Sequence, residues 1–366
     1  MNQAIIIGSI GLWRKFLKDT LEEEGINTIC FVDTVESGMS YSGVPIITPE
    51  ELPRYTKGFN GLVLVTFPIK DKRREDFFKR VLEYIGDHVH VLSFTEVYKK
   101  YKNALIMAKK VGDLWLSEDY DKDSALDVIE LLSDEKSKHI VSSWIKFRET
   151  LDIDYIVDPE EPQYFPNDLS VQNFVPQEYA LLDLGAFTGD SYLFLKDKLS
   201  EYSKKLTLYA GIEADQENFL KLVKTVEENE TGEKVILLNT ACFSKNTYIE
   251  FFKTGTDRSS YLNFSDIEVK NEKVKLIAAK LDVILRNFKF DIVKADIEGA
   301  EFECLCGMEN IITNSNSVMM ISIYHKPEDI YQITKFVKEK LNNHELFVRV
   351  HSSFFINTIL YAIPRN

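Results

Sequence analysis

The sequence predicts an α/β protein made of two doubly wound, Rossmann-like units with a helical connector between them. Three observations carry this expectation. Apolar runs recur with helical patterns between them, which implies parallel strands buried on both faces. The runs stop between about Phe94 and Val175. The last two runs of the chain lie too close together for a crossover helix, so they pair antiparallel.

In the first unit the expected strands are AIIIGSI (Ala4–Ile10), NTICFVD (Asn27–Asp33), GLVLVTF (Gly61–Phe67) and HVHVLS (His88–Ser93). A helical pattern follows the first and stops at Gly25. In the middle stretch, ALDVIELLSDEKSKHIVSSWIKFRETL (Ala125–Leu151) spaces apolar residues as a helix does. DPEEPQYFPND (Asp158–Asp168) carries three prolines and no period, so it is loop. The second unit supplies YALLDLGAF (Tyr179–Phe187), LTLYAGIE (Leu206–Glu213), KVILLNTA (Lys234–Ala241), FDIVKAD (Phe290–Asp296) and VMMISIYH (Val318–His325). The closing pair is ELFVRV (Glu345–Val350) and NTILYAI (Asn357–Ile363). YIEFF (Tyr248–Phe252) reads as a strand beside the core rather than a ligand platform. The expected boundaries are 1–95, 96–175 and 176–366, and 366 residues is long for a single core.

Composition narrows the function classes. Hydrophobic residues at 45% and charged residues at 28% are ordinary for a soluble globular protein. A formal charge of −14 argues against nucleic acid or an anionic membrane as partner. No apolar run approaches the roughly 18 residues of a membrane span, and the start, MNQAIIIGSIG, has no basic region of a signal peptide. Cys30, Cys242, Cys304 and Cys306 are too scattered for a disulfide framework. Cys304 and Cys306 lack a second ligand pair for zinc. Buried thiols in a reducing cytoplasm are the expectation.

The sharpest motif is LLDLGAFTGDS (Leu181–Ser191), where Gly185 and Gly189 permit a tight turn between strand and helix. Glu213 ends the next strand, 28 residues after Gly185. A carboxylate there can accept both ribose hydroxyls of an adenosine-type ligand. A dinucleotide would want G-x-G-x-x-G, with backbone N–H groups on the pyrophosphate. Here Asp183 opens the motif instead. An acid repels pyrophosphate but suits a cationic amino-acid moiety, which points to S-adenosyl-L-methionine.

With these motifs on the page, residues from about Asp134 to Ile363 resemble the FkbM family of S-adenosylmethionine-dependent methyltransferases. The matching segments are LLDLGAFTGDS, GIEADQENFLKL, ILLNTACFS, RSSYL, AKLDVIL, FDIVKADIEGAEFECLCGMENII and ILYAI. Glu213-Ala214-Asp215 departs from the usual Glu-Pro-Asp, and Cys304-Leu305-Cys306-Gly307-Met308 from the usual helix ending. The resemblance implies a class I methyltransferase domain acting on hydroxyls of a sugar, sugar nucleotide or glycan. It places Asp183, Gly185, Ala186 and Gly189 at the methionine part of the cofactor and Glu213 at the ribose. Ala214, Thr240 and Ala241 fall beside the adenine, and Asp296 and His325 at the transferred methyl.

Several alternatives stay open at this stage. Asp296 or His325 could take the acceptor's proton, the histidine having the better-matched ordinary pKa. Asp296 and Glu298 could instead hold Mg²⁺ and acidify the bound hydroxyl. Glu301, after Gly299, reads as a charge at a helix start. Tyr164 and Phe165 either close over the cofactor or simply pack. In the first unit, Gly8 and Gly11 follow a strand and Asp33 ends the next. That is either a nucleotide-sugar site or the trace of a docking or homo-oligomerisation domain. A non-catalytic binding protein and an NAD-dependent sugar oxidoreductase are the competing functions.

Overall fold

A computed structural model describes residues 2–8, 12–34, 37–67, 72–85, 89–101, 120–150, 152–253, 272–352 and 355–365. The chain divides into two compact units, Met1–Glu118 with Lys146–Ile156, and Asp119–Ile145 with Val157–Asn366. No helix among the described residues is long and apolar enough to cross a membrane.

The first unit is built on β1 (Gln3–Ile7), β2 (Asn27–Val32), β3 (Ser40–Tyr41), β4 (Val44–Ile47), β5 (Leu62–Val65) and β6 (His90–Leu92). Their order is β3-β4-β2-β1-β5-β6, and all neighbours are parallel except β3 with β4. Ile5, Ile7, Val32, Val63 and Val65 form its core with Val81 and Ile85 of the helix Lys72–Ile85. β6 is shorter than its apolar run because Ser93 caps the next helix, Phe94–Lys100. The Ser93 side chain accepts from the Glu96 N–H, and the Glu96 carboxylate accepts from the Ser93 N–H, a reciprocal cap.

The second unit carries a seven-stranded sheet. Its strands are β7 (Glu178–Leu184), β8 (Lys205–Glu213), β9 (Lys234–Asn239), β13 (Ile292–Ala295), β14 (Val318–Ser322), β15 (His344–Val350) and β16 (Thr358–Pro364). The order is β15-β16-β14-β13-β7-β8-β9. The first five are parallel, and β16 inserts antiparallel between β14 and β15. The chain therefore leaves β7 toward β8 on one side, while β13 lies on the other. Ligands of open α/β sheets bind at such a reversal, beyond the carboxyl ends of the strands.

The run Lys234–Ala241 does not continue as one strand. It breaks after Asn239, and β10 (Ala241–Cys242) leaves for a separate three-stranded sheet with β11 (Thr247–Lys253) and β12 (Glu272–Ala279). YIEFF lies in β11, as expected. β12 was not expected from the sequence, although its apolar and charged residues alternate through Lys273, Val274, Lys275 and Leu276.

The proline-rich loop is held rather than loose. Arg349 on β15 is 1% exposed. Its guanidinium reaches Asp134 at 2.6 Å, Asp168 at 3.0 Å and Glu160 at 3.3 Å. Lys136 adds a second cation, 2.9 Å from Asp168. Deeper in, His351 Nδ1 donates to the Glu160 carbonyl and Tyr361 Oη accepts from the Tyr164 N–H. Burial lowers the His351 pKa, so the ring is neutral and Nε2 accepts from Tyr361 Oη at 2.8 Å. Every link fixes the backbone that carries Tyr164.

Removing the buried guanidinium strands the partly exposed Asp134 and leaves Asp168 and Glu160 with Lys136 alone. Breaking a buried pair costs roughly 3–5 kcal/mol, and solvent screening of these acids reduces that to about 2–4 kcal/mol. Arg349→Ala should lower the urea midpoint of the second unit accordingly, while Arg349→Lys recovers part of the loss.

Candidate active site

The site grows from the β7–β13 pair. Asp183 and Lys294 stand opposite each other in register. Both are inside the sheet, and Lys294 Nζ lies 3.1 Å from Asp183 Oδ1. Asp183 Oδ2 also accepts from Ser191 Oγ at 2.6 Å and Tyr209 Oη at 3.3 Å. Lys294 donates to the Gly185 carbonyl at 2.6 Å. Burial works against its charge, but Asp183, Asp296 and Asp190 outweigh that, and its pKa is raised.

Two residues on, the strands nearly touch. Gly185 has φ +75, and a Cβ there would stand 1.9 Å from the Asp296 carbonyl oxygen. Only glycine meets both conditions. Gly189, at φ +92, caps the helix Asp190–Ser200, and a Cβ on it would press on Thr225.

A cavity of about 240 Å³ opens over these strand ends. Gly185, Glu213, Ala214, Thr240, Ala241, Asp296 and Glu298 line it, together with Tyr164, Ser191 and Lys294. Asp183, Ala186, Gly189 and His325 are not in its lining. Asp183 sits one layer below, under Ser191 and Lys294. Ala186 is fully buried behind the turn. Lys294 was not singled out from the sequence, because a lysine in FDIVKAD reads as a strand-end residue. The register opposite Asp183 is what gives it a partner.

Glu213 ends β8, and its carboxylate is anchored on both oxygens. Oε2 accepts from the Phe187 N–H at 2.9 Å and Oε1 from the Asp215 N–H at 2.8 Å. Burial pushes its pKa up to about 7 despite these bonds. Asn239 Nδ2 donates to the Glu213 and Ala214 carbonyls, which fixes the turn toward Thr240.

On the opposite rim, Asp296 follows β13 directly. Its Oδ2 accepts from Tyr164 Oη at 2.9 Å, and Tyr164 itself sits at φ +65. Tyr164 thus lines the cavity as well as packing, while Phe165 packs beside Tyr202. The turn of Glu298 (φ +55) and Gly299 (φ +96) then folds the chain back. Glu301 opens the helix Glu301–Gly307, as expected of a helix-start acid. Its carboxylate, however, is turned inward: it is fully buried, accepts from the Ile297 N–H, and lies 2.9 Å from His325 Nδ1.

His325 is enclosed by acids. Nε2 stands 3.5 Å from Asp296 Oδ1 and 3.5 Å from Glu298 Oε2. Burial alone would favour the neutral ring, but Glu301, Glu298 and Asp296 outweigh it and push the pKa up to about 10. The advantage of an ordinary histidine pKa does not apply in this setting.

For a metal, the donor atoms that converge among the described residues belong to Asp296, Glu301 and His325. Glu298, which the sequence paired with Asp296, is not one of them. Magnesium takes oxygen donors and keeps its waters, so a buried imidazole in the set does not suit it.

In the first unit, Gly8 follows β1 at φ +85, but Phe67 and Thr66 stand 2.5 and 2.8 Å from where its Cβ would be. Asp33 is buried beyond β2. Gly11 lies outside the described residues.

Five parallel strands, an antiparallel strand inserted beside the last, and an acid-lined cavity at the reversal define the Rossmann-like methyltransferase fold. The family model described as Methyltransferase FkbM domain matches residues 183–346. That stretch is similar to an FkbM methyltransferase domain and lies within the second unit. The crystal structure of methyltransferase FkbM from Methylobacillus flagellatus KT matches with a TM-score of 0.68 at 16% identity, over 99% of this chain and 90% of that one. The CMeT domain of the citrinin polyketide synthase aligns at 8% identity over 82% of this chain and 71% of that one. Its TM-score of 0.29 is too low to bear on the fold. Among curated proteins none matches.

The elevated Glu213 pKa has a measurable consequence. The ionised form is disfavoured in the folded protein, so the group's stabilising contribution is complete below about pH 4.5 and is lost as pH rises through about 7. The stability difference between wild type and Glu213→Gln should change by about 3 kcal/mol between pH 4 and pH 8, to the disadvantage of wild type. Urea unfolding of both proteins across that range reads it directly. A difference that stays flat with pH would mean that Glu213 titrates normally.

Proposed function

We propose that the second unit transfers a methyl group from S-adenosyl-L-methionine to a hydroxyl of a sugar, sugar nucleotide or glycan. One observation carries the cofactor reading: Glu213 at the end of β8 and Asp296 just after β13 face one cavity across the Gly185 turn. Glu213 receives the ribose hydroxyls, with Ala214, Thr240 and Ala241 beside the adenine. Gly185 and Ser191 border the methionine part, and Asp183 acts on it through Lys294 and Ser191. Ala186 and Gly189 shape the turn without touching the ligand.

In the reaction, the acceptor oxygen forms a bond to the methyl carbon as the carbon–sulfur bond breaks. The sulfur keeps that electron pair and leaves as a neutral thioether. The hydroxyl proton passes to the Asp296 carboxylate and from there to water. The methyl group is already activated, so alignment is the main task. Tyr164 holds Asp296 from one side and His325 from the other, which supports Asp296 as the proton acceptor. His325, with its pKa near 10, serves as a fixed positive partner.

The choice of acceptor rests on the family resemblance and on the hydroxyl chemistry that Asp296 allows. For the first unit we favour docking or self-association over nucleotide binding, because the third glycine of a dinucleotide motif is missing and Leu12 and Trp13 follow directly on Gly11. We place the enzyme in the cytoplasm, where its four free cysteines stay reduced.

Calorimetry tests the cofactor reading. S-adenosyl-L-methionine should bind one to one, and Glu213→Ala should weaken it by about ten- to hundredfold, as expected for lost ribose hydrogen bonds. Binding of NAD instead would sink the methyltransferase assignment. Asp296→Asn should bind the cofactor nearly as wild type does but lose methyl transfer by at least about a hundredfold. The transfer readout is mass spectrometry with a panel of sugar nucleotides and glycans. Loss of only a few-fold would remove Asp296 from the proton path.

A further inference from the structure

We infer that Asp296, Glu301 and His325 form a binding site for one divalent transition-metal cation, of the Mn²⁺, Fe²⁺ or Zn²⁺ class. One ligand atom from each residue lies within 4.8 Å of the other two. Donors around a shared ion can be separated by at most about 4.6 Å, twice a long metal–ligand distance of about 2.3 Å. Small side-chain rotations bring the three into that range.

Unsatisfied atoms occur on the same three residues. Asp296 Oδ1, Glu301 Oε2 and both ring nitrogens of His325 are buried and have no hydrogen-bond partner. His325 Nδ1 and Glu301 Oε1 are 2.9 Å apart, but the ring N–H does not point along that line. Buried polar atoms are nearly always partnered. Four such atoms on three touching residues point to a common partner that is not a protein group.

Charge argues the same way. Asp296, Glu298, Glu301 and Asp329 surround one imidazole, and three of these five side chains are almost wholly buried. Lys294, the lysine that faces Asp296, is already held by Asp183 and the Gly185 carbonyl. A doubly charged ion, bound in place of the ring proton that His325 carries in the metal-free protein, offsets what that single proton cannot. The donor set of two carboxylates and an imidazole selects the metal class, since Mg²⁺ and Ca²⁺ prefer oxygen alone, imidazole suits Fe²⁺ and Zn²⁺, and the two carboxylates suit Mn²⁺. The sequence provides the geometry through its turn: positive φ at Glu298 and Gly299 reverses the chain, so that Asp296 and Glu301 meet. Strained backbone of this kind concentrates at functional sites.

The existence of the site does not depend on the methyl-transfer reading, but its purpose does. Asp296 is the one member that reaches the cavity, so a bound cation would sit where an acceptor hydroxyl could be held and acidified.

The test uses the full chain, stripped with a chelator and then titrated with Mn²⁺, Zn²⁺ or Mg²⁺ by calorimetry. One equivalent of Mn²⁺ or Zn²⁺ should bind, at least about tenfold more tightly than Mg²⁺. His325→Gln and Glu301→Gln should each weaken binding by about tenfold or more, whereas Glu303→Gln on the same helix should not. The Mn²⁺-loaded wild type should also show nitrogen hyperfine coupling from the imidazole, which needs no variant to fold. Absence of stoichiometric binding overturns the proposal. So does binding that both variants leave intact, or a Mn²⁺ spectrum without nitrogen coupling. Cofactor titration of the stripped protein runs in parallel, so a failure of the methyltransferase reading is told apart from a failure of the metal site.

Discussion

The approach of β7 to β13 is the constraint on which the site depends. The Asp183–Lys294 pair locks these two parallel strands at one register, inside the sheet where no water can substitute. Breaking such a pair leaves an uncompensated buried charge. Two residues later the Gly185 turn passes against the Asp296 carbonyl with no room for a Cβ. Register, turn and acid are therefore one unit. A slip of the pairing would unpair the charges, drive Gly185 into the neighbouring strand and turn Asp296 off the rim.

The opposite wall of the site is positioned from farther away. The Arg349 cluster pins both ends of the segment carrying Tyr164, and the His351–Tyr361 pair fixes the Tyr164 backbone from beneath. Tyr164 then donates to Asp296. The proline-rich loop thus behaves as an arm of the sheet. The last strand, β16, serves two purposes: it closes the sheet antiparallel and it brings Tyr361 under the loop.

The sequence exposed those parts of this arrangement whose chemistry is local. Gly185 and Gly189 follow an apolar strand, and Glu213 and Asp296 end strands, so spacing alone places them at the carboxyl edge. Lys294, Arg349 and the inward turn of Glu301 were not legible, because each is defined by a partner far away in sequence. A lysine in an apolar run looks like a strand end until its register partner is known. Arg349 in ELFVRV looks like an exposed strand residue, yet it is almost wholly buried because three acids converge on it. The strand β12 was missed because its pairing partner β11 is remote across a long intervening stretch.

Glu213 and Asp296, on opposite rims of the cavity, are set apart by their surroundings, and this bears on how the proposed reaction could run. At Glu213 burial outweighs the two backbone donors and the charge of Lys294, and its pKa rises to about 7. Asp296 stands between Lys294, His325 and the Tyr164 hydroxyl. A bare carboxylate beside a sulfonium would stabilise the charged cofactor more than the transition state, in which that charge is dispersing, and so would favour binding over rate. Positive partners behind Asp296 temper that attraction. An acid backed by cations on one rim and an acid governed by burial on the other divide the work by environment, as paired carboxylates do in other active sites. That division matches the proposed placement of the ribose at one end of the cavity and of the methyl group at the other.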